Sequence, residues 1–333
     1  MGARRSTDSV EMYAKSALLI AIAALSYGFL VFRADTPLPA MAAAVVLALV
    51  GIGFNVQHDG NHGGFSQWRW INRATGFTLD LIGASSYYWK QKHNLDHHTY
   101  TNIPHEDADI EVGWFARMCD DHQWHWFHRY QHYYLWFLYA FVHLRYVYSD
   151  WLCLATGTMG GKRVKRPAGG DLVTLLSGKA IYLALAVAIP LTQHGVGAVA
   201  AGFVAISMMM GIIFSIVFQL AHTVDTVEHP SEQDGVHRDE WAVHQILTTS
   251  NFATGSRFLC FALGGLNFQR EHHLFPRISH VHYPALSRVV KEVCDEHNVK
   301  YAETPKLIDA LRSHYRFLKQ MGSKPRADFS VAR

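Results

Sequence analysis

Charge is scarce in this chain of 333 residues, because only 17% are Asp, Glu, Lys or Arg, against about 25% in a typical soluble domain. Cysteine is also scarce: the four cysteines lie far apart and form no CxxC pair. This spacing indicates neither a disulfide framework nor a thiolate metal site. The net charge of +3 is too small to indicate nucleic-acid binding. With half of its residues hydrophobic, the chain is too apolar for an ordinary soluble enzyme.

Long apolar runs take the place of charge. A membrane-spanning helix needs about 20 mostly apolar residues, and four stretches approach or exceed that length. We place these helices at about 14–33, 37–57, 173–193 and 196–221. Short links of a few residues join the first helix to the second and the third helix to the fourth, which predicts two helical hairpins. In this topology 28 of the 30 Lys and Arg residues face one compartment, so the positive-inside rule makes that side cytoplasmic, with both termini inside.

The rest of the chain, 58–170 and 222–333, is predicted to form a helical cytosolic cap. Within it, residues 124–148 are apolar and crowded with Trp and Tyr, but they also contain two arginines and several histidines. Such amphipathic helices favour the membrane interface over a full crossing. The whole chain, 1–333, is therefore predicted to be one all-α integral membrane domain.

Histidine is abundant, with 22 residues, and three groups stand out: HDGNH, HNLDHH and QREHH. In the first two groups a pair at i and i+4 projects from one face of a helix, so that two imidazoles can approach one metal ion. One more histidine ends the fourth predicted span. Together they supply about the number of ligands that two metal ions need. The eight candidate ligands are His58, His62, His93, His97, His98, His222, His272 and His273.

Imidazole ligands without thiolate suit Zn, Cu, Fe or Ni, so ligand chemistry alone leaves the metal open. Nearby carboxylates are expected to accept hydrogen bonds from the ligating imidazoles and to orient them. They are Asp59, Asp96, Glu106, Asp107, Asp109 and Glu271. The other histidines are interpreted as ordinary surface or core residues. They are His105, His122, His125, His128, His132, His143, His194, His229, His237, His244, His280, His282, His297 and His314.

The three boxes and their flanks resemble the membrane-bound fatty acid desaturases, specifically bacterial front-end enzymes of the acyl-lipid or linoleoyl-CoA type. The resemblance runs from about 51 to 286 and includes the segments NVQHDGNHGGFS, WKQKHNLDHHTYTNIPHEDADI, FQLAHTVDTVEHP and GGLNFQREHHLFPRISHVHYPAL. It implies a non-haem di-iron centre that uses O₂ to remove two vicinal hydrogens from a long-chain acyl group, leaving a cis double bond. It also implies that the eight histidines are the iron ligands and that Gln269 is a weak ligand or acts through water.

The sequence departs from the family pattern in two ways, and these affect which properties of the family we expect this protein to share. Arg270 stands where the family usually has an aliphatic residue, and it would add a cation beside the metal site. No His-Pro-Gly-Gly cytochrome b5 motif occurs in the sequence, so we expect electrons from a separate ferredoxin or cytochrome b5 with its reductase. The substrate would be a long-chain acyl group on CoA, lipid or a carrier protein. Four aromatic residues flank the boxes and are either walls of an acyl tunnel or core: Tyr87, Tyr88, Trp89 and Phe268.

Two other functions stay open on sequence alone. A fatty acyl hydroxylase or acetylenase could use the same scaffold, because the outcome depends on local geometry. A metal transporter with a histidine-rich sensor is a weaker alternative, since the second and fourth predicted spans carry no charge. In every case the expected location is the plasma or inner membrane, in contact with lipid. Chain length, double-bond position, acyl carrier, electron donor and oligomeric state are not specified by these motifs.

Overall fold

The computed structural model describes residues 8–33, 38–231 and 240–325. It is mostly helical, and four of its helices are long and apolar enough to cross a membrane. They are Val10–Phe32, Pro39–His62, Gly170–Leu191 and Val196–His222. Their positions agree with the four predicted spans to within a few residues, apart from the C-terminal end of the second. Residue 37, the predicted start of that second span, and His237 lie outside the described residues.

Sixteen α-helices occur in the described part of the chain, several of them a single turn. In chain order they are α1 (Val10–Phe32), α2 (Leu38–Ile52), α3 (His58–His62), α4 (Arg69–Leu81), α5 (Ser86–Trp89), α6 (His98–Tyr100), α7 (Gln131–Leu138), α8 (Val142–Thr156), α9 (Gly170–Leu183), α10 (Ile189–Leu191), α11 (Val196–His222), α12 (Trp241–Leu247), α13 (Arg257–Ala262), α14 (Gln269–Leu274), α15 (Tyr283–Glu296) and α16 (Leu307–Gly322).

Shorter elements connect these helices. The π-helical segments are Gly53–Gln57, Lys90–His97 and Ala184–Ala188. The 3₁₀ turns are Gly113–Phe115, Trp126–Tyr130, Tyr139–Phe141 and His280–His282. The strands are β1 (Thr158–Met159), antiparallel to β2 (Lys162–Arg163), and β3 (Asn251–Phe252), parallel to β4 (Glu303–Thr304).

The long helices pack side by side: α1 lies along α2, α2 packs on α11, and α9 packs on α4. The largest apolar cluster fills the space between α2, α4 and α11, and it includes Val46, Phe54, Leu79, Met210 and Leu220. This cluster ends next to the histidine-bearing ends of α3 and α11. The apolar core therefore leads directly to the candidate site.

The second long helix continues through HDGNH instead of ending at Gln57, so His58 and His62 stand on a direct extension of a predicted membrane span. The helix ends at Gly63, whose φ of 76° favours glycine and whose N–H bonds to the carbonyl groups of Asp59 and Gly60. Gly60 also allows α3 to touch α4, because a Cβ there would overlap Thr75. These two glycines define where the first box ends and how closely it packs on α4.

The aromatic segment 124–148 differs from the single amphipathic helix that we expected. It is divided into a 3₁₀ turn, α7, a second 3₁₀ turn at Tyr139–Phe141 and the start of α8. The second turn lies against α11 at Gly211, where the carbonyl groups of Tyr139 and Ala140 occupy the space that a side chain would need. Close packing on α11 thus accounts for the interruption. Aromatic side chains remain exposed along one side of the segment: Trp126, Tyr130, Tyr133, Phe137, Phe141 and Tyr148.

Candidate metal centre

The second box lies in a π-helix, Lys90–His97, and not in the α-helix that we expected, except for its last residue, His98, which begins α6. In a π-helix the hydrogen bonds run from i to i+5, so each residue turns by less than in an α-helix. Residues four and five positions apart then both lie near the same face. This geometry explains how His93, His97 and His98 can all face one site, although an α-helix would turn His98 about 100° away from His97.

All eight predicted ligands converge. One group of nitrogens comes from four side chains, His58, His62, His93 and His272. Another comes from His97, His222 and His273, and a third joins His98 to His272 and His273. Within each group the candidate ligand atoms lie within 4.8 Å of one another, little more than twice a metal–nitrogen bond of about 2.1 Å.

The imidazole nitrogens fit a metal because they are buried and lack other partners. His97, His222, His272 and His273 are completely buried, and the other four are at most 8% exposed. Several of their nitrogens have no hydrogen-bond partner in the described part of the chain: His58 Nδ1, His62 Nε2, His97 Nε2, His98 Nδ1, His222 Nδ1 and His273 Nε2. The Nε2 atoms of His98 and His272 face each other at 3.1 Å. Buried polar atoms are normally satisfied, so these nitrogens indicate a site for cations.

Burial also favours the neutral, ligating form of the imidazoles. Desolvation, followed by the neighbouring imidazoles, lowers the pKa of His93, His98, His272 and His273 well below the ordinary value. His97 differs, because burial lowers its pKa but the carboxylates of Asp107 and Asp109 together more than offset this and raise it. Neutral imidazole is the form that binds metal, so most of the cluster is prepared for binding at neutral pH.

Two of the predicted carboxylates do orient ligands. His97 Nδ1 donates to Asp107 at 2.9 Å, which leaves His97 Nε2 facing the cluster. Asp109 lies 3.4 Å from His93 Nδ1 and forms an ion pair with Lys92. Burial raises the pKa of Asp109, but Lys92 and nearby imidazoles together outweigh burial and lower it, so the carboxylate stays charged.

Three other predicted carboxylates bind different partners, so their expected role was wrong. Asp59 accepts from His280 Nδ1 at 2.8 Å, Glu106 pairs with Lys162, and Glu271 accepts from Asn251 and Tyr301. Asp59 and Glu271 adjoin box histidines in sequence, but the helix turns them away from the cluster. Asp96 is half-buried, and among the described residues its carboxylate forms no hydrogen bond to a box histidine.

Four residues that hold the site had no role in the sequence interpretation. Gln245 accepts from His273 Nδ1 at 2.7 Å and from the Thr101 hydroxyl at 2.9 Å. Tyr283 Oη lies 3.2 Å from His272 Nδ1. Asn102 donates its amide to the carbonyl group of His222 at 2.9 Å. Thr101, Asn102 and Tyr283 lie within motifs quoted above, but only the fold shows which histidine each one contacts.

Gln269 and two aromatic rings complete the site. The Gln269 amide nitrogen lies 3.0 Å from His222 Nε2, so this side chain adjoins the candidate metal ligands. Trp89 stacks on His93 with ring centroids 4.3 Å apart, and Phe218 stacks on His222 at 4.6 Å. Of the predicted tunnel walls, Trp89 thus contacts the cluster. Tyr88 packs in a separate core with Cys153 and Leu175.

These features define a class: a helical protein with four potential membrane spans and a buried polyhistidine cluster that can hold metal. The family model for "Fatty acid desaturase" matches residues 36–305. The chain belongs to the fatty acid desaturase family.

Named relatives agree with this assignment. The chain is 38% identical to sn-1 linoleoyl-lipid 6-desaturase of Arthrospira platensis, over 96% of this chain and 88% of the relative. It is 36% identical to the protein of the same name from Synechocystis sp., over 95% and 89%. It is 37% identical to acyl-lipid (8-3)-desaturase of Physcomitrium patens, over 81% of this chain and 58% of the relative. The chain is accordingly a front-end fatty acyl desaturase, an oxidoreductase, and the metal-transporter alternative is set aside.

Proposed function

We propose that this protein uses O₂ and two iron ions to insert a cis double bond into a long-chain acyl group carried by a membrane lipid. The observation that carries the proposal is the convergence of four separate histidine-bearing segments into one buried cluster. An ordinary core would not place eight largely buried imidazoles with unpaired nitrogens together.

The grouping of the imidazoles supports two metal positions. His58, His62, His93 and His272 would hold one ion. His97, His222 and His273 would hold the other, with Gln269 beside it. His98 lies between the two groups, since its nitrogen is close to those of both His272 and His273. Iron bound there supplies, with O₂, the strong oxidant that an unactivated C–H bond requires.

The protein's own task is to position the acyl chain and to exclude water. Trp89 contacts the first histidine group and Phe218 the second, so an aromatic ring lies against each metal position. Trp89 also packs against the apolar core that fills the space between the long helices. We propose that the acyl chain approaches the metal ions past these rings from the bilayer. The names of the two cyanobacterial relatives make a lipid-linked linoleoyl group the first substrate to test.

The fold supports the proposed membrane orientation. His58 and His222 lie at or near the C-terminal ends of two long helices, and both contact the same cluster. Both helices would therefore leave the membrane on the same side, as two hairpins require. The cation distribution makes this side cytoplasmic, with the cap formed by 58–170 and 222–333 in a single domain. The exposed aromatic row from Trp126 to Tyr148 suits the membrane interface on that side.

Electrons must come from outside the reaction centre. The balanced reaction takes one O₂, two electrons, two protons and a –CH₂–CH₂– unit to a cis –CH=CH– unit and two waters. We propose a separate ferredoxin, or a cytochrome b5 with its reductase, as the donor.

The direct test is expression of the chain in a host that lacks polyunsaturated lipids but supplies a ferredoxin. The host is fed linoleate, and its lipids are analysed by mass spectrometry. We expect a linoleate-derived product two mass units lighter, with the new double bond between the carboxyl group and the existing double bonds. The His272→Ala variant should give no product. A product sixteen mass units heavier would instead indicate hydroxylation and would contradict the proposal.

A further inference from the structure

Arg270 lies inside the third histidine box, yet the structure places its side chain away from the metal cluster. At about 100° per residue, Gln269, His272 and His273 share one face of α14, and Arg270 and Glu271 occupy the opposite face. Arg270 is only 1% exposed and is one of the largest fully buried side chains. The expectation that it adds a cation beside the metal site is therefore wrong.

The guanidinium group contacts two parts of the cap. Its Nε donates to the carbonyl group of Ile246 in α12 at 2.9 Å, and its Nη1 donates to the carbonyl group of Ala302. Its plane lies over the ring of Tyr301, 4.7 Å from the centroid. No ion pair to Arg270 occurs among the described residues, so carbonyl groups and an aromatic ring satisfy this buried cation.

Neighbouring contacts connect the same segments. Tyr301 donates its hydroxyl to Glu271 at 2.9 Å, and Asn251 donates its amide to Glu271 at 2.8 Å. Asn251 also accepts from the backbone N–H of Arg270 at 3.0 Å. The parallel pairing of β3 and β4 holds Asn251 beside Glu303. The metal-distant face of α14 is thus fixed on three sides, by α12, β3 and the segment 301–304.

We propose that Arg270 is a positioning residue of the metal centre. By joining α12 and the segment 301–304 to α14, it holds that helix at the rotation that directs Gln269, His272 and His273 into the cluster. Its planar donor group is suited to this task because it reaches two carbonyl groups in different directions, which a lysine ammonium on a flexible stem cannot reproduce. This inference rests on the proposed metal-dependent function.

The test uses the full-length protein in detergent or nanodiscs and compares Arg270→Met, Arg270→Lys and Tyr301→Phe with the wild type. Arg288→Met is the matched control, since Arg288 is exposed on α15. Iron and Co(II) binding are measured per folded chain, and the visible spectrum of the Co(II) form reports ligand geometry. We expect Arg270→Met to weaken metal affinity about 10- to 100-fold, as loss of a group that orients a ligand does. We expect its Co(II) spectrum to change and its kcat to fall, with KM for the acyl substrate within about twofold of wild type.

Arg270→Lys should lie between wild type and Arg270→Met, Tyr301→Phe should show a smaller effect, and Arg288→Met should match wild type. A folded Arg270→Met protein with wild-type metal affinity, Co(II) spectrum and kcat would overturn the inference. If Arg270→Met does not fold, wild-type metal binding in both Arg270→Lys and Tyr301→Phe would overturn it. Failure of the wild type itself to bind iron or to desaturate lipid would instead refute the proposed function.

Discussion

On the long helices many apolar side chains are exposed, whereas in the histidine cluster polar side chains are buried. On α1, apolar side chains such as Leu18, Leu25 and Phe29 are about half exposed, whereas His97 and His272 in the cluster are completely buried. A soluble protein would show the reverse. The difference fits helices that are long and apolar enough to lie in hydrocarbon and a cluster that can hold metal. Hydrocarbon would keep the exposed apolar side chains of the helices out of water, and metal would bind the buried imidazole nitrogens that lack hydrogen-bond partners.

Removing one of the candidate metal ligands should have the largest effect on activity. We expect His97→Ala to abolish desaturation, by at least about 100-fold, because one metal position loses a ligand that Asp107 orients. His297→Ala, at an exposed position directly after α15, is the control and should retain activity. Product formation from linoleate and iron per folded chain are the measurements. Full turnover in His97→Ala would exclude this histidine from the centre.

The third long helix differs from α1 because it contains a buried charged side chain. Lys179 is 2% exposed and pairs with Asp150 in α8, and its ammonium also donates to the carbonyl group of Gly83. Lys179→Met leaves the buried Asp150 carboxylate uncompensated. We expect it to lower the free energy of unfolding by about 3–5 kcal/mol.

The matched control for this pair is the double variant Lys179→Met with Asp150→Leu. It removes both charges and should recover much of the stability. Thermal unfolding in detergent, followed by circular dichroism, measures both proteins. Equal stability of wild type and Lys179→Met would show that the pair is not needed to hold α9 against the cap.

A smaller effect is expected from a carboxylate that orients a ligand. Asp107→Asn keeps the shape of the side chain but removes the negative charge of the carboxylate, whose oxygen accepts a hydrogen bond from His97 Nδ1. Metal affinity and activity should fall about 10- to 100-fold. Glu106→Gln is the control, because Glu106 pairs with the partly exposed Lys162 and contacts no histidine of the cluster through a hydrogen bond. Identical losses in both variants would argue against a specific role for Asp107.

Substitutions in the exposed aromatic row should have the smallest effect on the free energy of unfolding. A bimane label on Phe137→Cys should be quenched by brominated lipids in nanodiscs, and the same label on His297→Cys should not, because only the first position faces the bilayer in our account. Neither change should alter the free energy of unfolding by more than about 0.5 kcal/mol. Absence of quenching at Phe137→Cys would place the aromatic row outside the membrane interface.

Much of this arrangement could be predicted from local sequence. The long helices follow from uncharged runs of sufficient length. The convergence of the boxes follows from counting imidazoles that end on one side of the membrane. Both signals lie within short stretches of chain, so they need no knowledge of which distant residues meet.

The remaining features depend on contacts between distant parts of the chain. The π-helix at Lys90–His97 positions the second box in the site, and nothing in its composition predicts it. Gln245 reaches His273, and Tyr283 reaches His272, only because α12, α14 and α15 pack together. The prediction that Arg270 lies beside the metal site was wrong for the same reason: its partners Ile246 and Ala302 are distant in sequence.

The iron content of the purified, active wild-type protein tests the central claim most directly. If the eight imidazoles form one binuclear centre, the fully active protein contains two irons per folded chain, and removing them with a chelator abolishes desaturation. Full activity with one iron or none per chain would contradict the account.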